Sequence, residues 1–203
     1  MRAAGRIPSW AALLVLSGPA AAHADWQIRP SVSVNFGQST TLLGGDTAAD
    51  AGTAKLGFGV AAGLIGNVFG IEADFGRRSR FFPASASGAG HVLGSSVTTL
   101  TGNVTVAIPK HLVEYTLRPY FVGGAGLMAV RVNQLNSLFD VSLRMNAIDV
   151  GGGVTGFLTP RIGLSWDVRH FRSIGNGPEL LGQSLGPPEL SFWRANMALA
   201  IRY

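Results

Sequence analysis

The sequence contains no cysteine, which excludes both a disulfide framework and thiolate metal sites. Charge is scarce as well: Asp, Glu, Lys and Arg together make up 13% of the chain. Apart from Arg77-Arg78-Ser79-Arg80 the basic residues stand singly, so the basic stripe of a nucleic-acid interface is missing. Hydrophobic residues reach 47%, yet past the N-terminal segment no apolar run approaches the roughly 20 residues a transmembrane helix needs. A phosphate-binding glycine loop is absent too, and His91 and His111 lie too far apart in sequence to read as a metal motif. No metal and no cofactor is therefore expected.

What the chain does have is glycine, 28 residues of it, together with 10 prolines. Both disfavour helix interiors, so a helical bundle is hard to build. Apolar residues that are abundant but never consecutive must be spread by alternation, which is the mark of strands.

The N-terminus reads as a secretory signal peptide over residues 1–24. Arg2 and Arg6 precede an apolar run from Trp10 to Leu16, and Ala22-His23-Ala24 gives the small-x-small pattern for cleavage before Asp25. The apolar run is too short to be a membrane anchor. Cleavage lowers the net charge from +5 to +3 by removing the two arginines and leaves a domain of 25–203.

Period-2 alternation predicts eight strands in that domain: Trp26 to Phe36, Ala54 to Leu64, Val68 to Gly76, Thr98 to Ile108, Tyr115 to Ala129, Asn146 to Leu158, Ile162 to Phe171 and Ser191 to Tyr203. In the third, Phe69, Ile71, Ala73 and Phe75 oppose Glu72 and Asp74. The last sets Trp193, Met197, Leu199, Ile201 and Tyr203 against Arg194, Asn196 and Arg202. Long connections at about 38–53, 77–97, 130–145 and 172–190 alternate with short ones at Gly66-Asn67, Pro109 to Glu114 and Thr159-Pro160.

Long loops on one side and tight turns on the other form the asymmetry of an outer-membrane barrel, with loops extracellular and both termini periplasmic. Strands of about ten residues match the length that crosses hydrocarbon when tilted. A sheet in lipid must also close, because an open edge would leave amides unsatisfied. A soluble sandwich or lipocalin-like barrel would point its apolar face inward. Against it stand the many glycines on the polar face, suited to a narrow lumen, and aromatics near strand ends such as Trp26, Phe36, Trp193 and Tyr203.

The segments Arg118-Pro119-Tyr120-Phe121-Val122-Gly123-Gly124-Ala125-Gly126-Leu127, Val150-Gly151-Gly152-Gly153-Val154 and Met197-Ala198-Leu199-Ala200-Ile201-Arg202-Tyr203 resemble the small outer-membrane barrel family of the OmpA and OmpX kind. The resemblance covers essentially the whole domain and implies a closed eight-stranded antiparallel up-and-down barrel, all-β, in the bacterial outer membrane. It also implies that the last strand, with Trp193, Leu199, Ile201 and the terminal Tyr203, is the signal read by the barrel-assembly machinery. Outer-membrane lipid and lipopolysaccharide are the other expected partners, and a monomer is the expected state. A resemblance of this kind speaks to fold and is nearly silent on activity.

The face opposite the apolar one collects Arg29, Lys55, Glu72, Asp74, Arg118, Asp149, Asp167, Arg169, Arg194 and Arg202. An eight-stranded bore is just wide enough for side chains to fill, so these charges should meet in a salt-bridge plug. The competing readings are a gated ion path or a proteolytic carboxylate pair. Glu72 and Asp74, about 7 Å apart at strand spacing, are surrounded by bases that hold both ionised, which makes them poor acids.

One enzyme hypothesis remains: a lipid-modifying site like a lipid A deacylase, built from His170 and Ser173 with Glu179 or Glu189. A spacing of three residues, however, points His170 and Ser173 to opposite faces of a regular strand. The expectation is a structural or surface-interaction barrel, not an enzyme. Asn103-Val104-Thr105 fits a glycosylation pattern but carries no meaning inside a bacterial strand.

Overall fold

The computed structural model describes residues 24–40, 56–79, 92–109, 117–134, 141–174, 179–180, 183–184 and 190–203. The expected signal segment up to residue 23 and Lys55, His91, His111 and Glu189 lie outside the described residues. Every long element is a strand: β1 (Asp25–Thr40), β2 (Leu56–Ile65), β3 (Phe69–Ser79), β4 (Val92–Ala107), β5 (Leu117–Gln134), β6 (Val141–Phe157), β7 (Ile162–Ile174) and β10 (Leu190–Arg202). A two-residue pair, β8 (Glu179–Leu180) and β9 (Gln183–Ser184), forms a small separate hairpin.

The eight long strands close into one barrel in the order β1-β10-β7-β6-β5-β4-β3-β2, each antiparallel to its neighbours. Closure is made by β1 against β10, with Gln27 opposite Arg202 and Ile28 opposite Ile201. Near the far end of that seam the register slips between Phe36 and Ser39 in a bulge. Gly37 takes a φ of 59° there, and the Trp193 ring lies 3.1 Å from where a Cβ would stand.

The start of β1 and the C-terminal residue share one end of the barrel with the tight turns. Tyr203 N–H donates to the Trp26 carbonyl at 2.9 Å and Arg202 N–H to the Arg161 carbonyl at 2.8 Å. Gly66 N–H closes the β2–β3 turn on the Phe69 carbonyl, and Thr159 Oγ1 accepts from Ile162 N–H in the β6–β7 turn. The other end carries the remaining connections. The strands run further towards it than the alternation predicts: β3 reaches Ser79, β4 begins at Val92, β5 runs to Gln134 and β6 begins at Val141. The connections expected at 77–97 and 130–145 are correspondingly shorter.

The reason lies in the pattern itself. Along most of the barrel apolar side chains point outward; Phe121 is 73% exposed, whereas Arg169, pointing inward, is 1% exposed. Toward the loop end the two faces exchange character. Outward positions become Ser96, Thr98, Arg131, Arg144 and Asn146, while Val97, Met128, Val130, Met145, Phe171, Leu190 and Phe192 pack inside as an apolar cluster. A reading that follows apolar residues outward stops where this exchange begins.

Candidate functional site

The chemistry of this protein is concentrated in the bore. Eight strands make a narrow bore, and glycine leaves room in it: inward-facing Gly151 sits opposite Arg169 on β7, and a Cβ on it would lie 2.8 Å from the Arg169 Cα and 2.9 Å from its Cγ. The room so left is filled by charge. Glu72 and Asp74 project from β3, Asp149 from β6, Asp167 and Arg169 from β7, Arg29 from β1 and Arg194 from β10, and all are buried.

Arg169 is the centre of the layer. Its Nη1 lies 2.7 Å from Glu72 Oε1, 3.8 Å from Asp74 Oδ2 and 3.9 Å from Asp149 Oδ2, while its Nε donates to Asp167 Oδ1 at 3.0 Å. In the ring of strands β7 stands diametrically opposite β3, so the Arg169–Glu72 pair spans the whole bore. Arg29 pairs with the second Glu72 oxygen, and Arg194 pairs with Asp74 Oδ1. Arg194 and Arg169 are direct cross-strand partners, an arrangement that repels unless carboxylates intervene. Here four carboxylates surround these two and Arg29.

Neutral groups complete the layer, and these the sequence reading does not single out. Tyr120 donates its hydroxyl to Asp167 Oδ2 at 2.9 Å, and Asn196 donates to Asp167 Oδ1 at 2.6 Å. Asn103 lies between Glu72 and Asp149. With its nitrogen turned to Asp149 it donates at 3.0 Å to Oδ1, and its oxygen accepts from Arg169 Nη1 at 3.1 Å. Above the layer the guanidinium of Arg194 stacks 4.5 Å from the centre of the Phe171 ring, which couples the charges to the apolar cluster.

Arg118 departs from the expected grouping. Its Nε donates to the Ile108 carbonyl at 3.0 Å and its Nη2 to the carbonyls of Gly66 and Asn67 at 2.9 and 2.6 Å. It therefore ties the turn-side rim together, away from the carboxylates, because alternation fixes the face of a strand but not the depth along it. Arg202 also stays at that rim, 3.3 Å from Asp25 and over the Phe157 ring. A cavity of about 20 Å³, room for one water molecule, separates this rim from the charged layer and is lined by Gln27, Arg29, Arg118 and Tyr120 among others.

His170 and Ser173 are not brought together. His170 faces outward against the Trp193 ring at 4.8 Å, whereas Ser173 is buried inside and accepts from Leu190 N–H at 2.9 Å. Of the last-strand residues, Trp193, Leu199 and Tyr203 are exposed on the outward face and Ile201 is half-buried beside them.

An apolar exterior around a closed, charge-filled bore defines a transmembrane β-barrel of the outer-membrane type. Residues 9–185 match the outer membrane protein beta-barrel domain family. The chain belongs to that family and is a protein of the bacterial outer membrane. Its fold is similar to that of Neisserial surface protein A, with a TM-score of 0.59, 13% identity, and 87% of this chain and 95% of that one covered. It is also similar to OprG from Pseudomonas aeruginosa, with a TM-score of 0.51, 13% identity, and 89% and 96% covered. A major outer membrane protein from Thermus thermophilus matches with a TM-score of 0.51, 13% identity, and 89% and 100% covered. No curated protein matches the sequence.

Proposed function

We propose that this is a plugged barrel whose work is structural or done at its surface, by the loop-bearing end. The observation that carries the reading is the Arg169–Glu72 pair across the bore, with apolar side chains packed directly above it. On this reading the buried side chains of the charged layer and the apolar cluster above it close the lumen to solutes. Orientation follows from the connections: the loop-bearing end is extracellular, and the termini and tight turns are periplasmic. Residues 1–24 are removed on export, the barrel-assembly machinery folds the chain through its last strand, and the folded protein is a monomer. The lipid-modifying alternative lacks its pair, since His170 and Ser173 stand on opposite faces of β7.

Planar bilayer recording of the refolded protein tests the plug. The expected result is no steady conductance in the wild type and measurable conductance in Arg169→Ala. An ohmic channel in the wild type would overturn it. Mass profiling of lipopolysaccharide from cells with and without the protein tests the alternative, and a changed acylation pattern would restore an enzyme.

A further inference from the structure

Charges on the barrel strands are sorted by face. Every carboxylate whose side chain is described there, namely Glu72, Asp74, Asp149 and Asp167, lies in the bore, or in the case of Asp25 pairs with Arg202 at the turn-side rim. The outward faces of the strands carry charge at four exposed positions only, among the described residues: Arg77 on β3, Arg131 on β5, Arg144 on β6 and Arg172 on β7. All four are arginine, and all four stand at the loop-bearing end. Arg77 lies two residues beyond outward-facing Phe75, and Arg172 two residues beyond His170.

Arg131 and Arg144 are the best placed to act together. Arg131 is opposite Ser142 and Arg144 is opposite Ala129, so the two are diagonal neighbours on adjacent strands. Diagonal positions lie roughly 7–8 Å apart, within the span of two long side chains converging on one group. A guanidinium presents a planar fork that fits phosphate oxygens two at a time. Outward charge at the edge of an apolar belt meets the headgroup layer of the membrane, where a cation is cheap to place and anionic lipid attracts it.

We propose that Arg131 and Arg144, flanked by Arg77 and Arg172, form a docking surface for the phosphate groups of a phosphorylated glycolipid in the outer leaflet, the lipid A portion of lipopolysaccharide. The inference rests on the orientation proposed above, and the complementary charge and the place of the arginines at the edge of the apolar belt choose the occupant. A soluble anion would not need its receptors on the lipid-facing side.

The full chain, refolded in neutral phosphatidylcholine vesicles, is melted with and without bisphosphorylated lipid A. Lipid A is expected to raise the midpoint, the doubly substituted R131Q/R144Q to lose at least half of the rise, and Arg161→Gln, an exposed arginine at the turn end, to keep it. The rise should also shrink with added salt. An equal rise in R131Q/R144Q overturns the proposal, as does an equal rise with phosphate-free lipid A, with phosphatidylglycerol at matched charge, or with inorganic phosphate in solution. Where R131Q/R144Q does not refold, each single glutamine variant is read in the same way. Vesicle melting does not depend on whether the bore conducts, so failure here leaves the plug standing, and an open bore leaves this surface standing.

Discussion

Gly76 of β3 stands where the Arg194 guanidinium crosses the bore: a Cβ at position 76 would overlap Arg194 Nη1. The arginine from β10 thus passes directly over the bare β3 backbone on its way to Asp74. Gly76→Ala should lower the melting midpoint of the refolded barrel in the wild type and do so much less when Arg194 is already Ala. The double-mutant cycle measures this coupling, expected at about 1–3 kcal/mol for groups in direct contact. Additive effects would mean that the glycine serves the backbone instead.

Arg169 and Arg118, both expected in the cluster from sequence, should behave differently. Arg169→Ala leaves Glu72 and Asp167 buried with reduced compensation, and breaking a buried pair costs about 3–5 kcal/mol. Arg118→Ala removes hydrogen bonds to exposed or half-buried turn carbonyls, a loss nearer about 1.5–3 kcal/mol. Urea unfolding in lipid vesicles gives both values. Combining Glu72→Ala with Arg169→Ala should be less damaging than the sum of the two, whereas Glu72→Ala and Arg118→Ala should add.

Tyr203 is largely exposed and contributes one backbone hydrogen bond, to Trp26. Its deletion is expected to reduce the heat-modifiable folded band in cells several-fold while hardly changing the melting of protein refolded in vitro. Equal losses in both settings would make the residue a structural element and not an assembly signal.

Because the chain has no cysteine, orientation can be read with single introduced thiols. Ser79→Cys, at the loop end of β3, should react with a membrane-impermeant maleimide on intact cells, and Thr159→Cys, in the β6–β7 turn, only after the outer membrane is opened. The reverse result would invert the barrel.

Strand order, closure and the inward face of Glu72, Asp74, Asp149, Asp167, Arg169 and Arg194 were legible in the sequence because alternation in lipid is strict. Depth was not, as Arg118 demonstrates. Neither were Tyr120, Asn103 and Asn196, since a neutral polar residue on an inward face looks the same whether it holds a carboxylate or lines water. The inner apolar cluster of Met128, Phe171 and Phe192 was hidden for another reason: an outward-apolar rule has no place for apolar residues that point inward.

The seam that closes the barrel joins residues 27 and 202, so the first strand can acquire its second neighbour only once the last one has been made. Contacts so distant in sequence are slow to form. Arg194 meets the β3 carboxylates from the far side of that seam and Arg169 from across the bore, and these ion pairs can mature only as the ring shuts. Interactions that form late are ones an opening barrel must break early, and they slow escape more than they speed arrival. The charged layer then acts as a latch in time: nearly all of the stabilisation these pairs supply goes into lengthening the life of the folded, inserted protein.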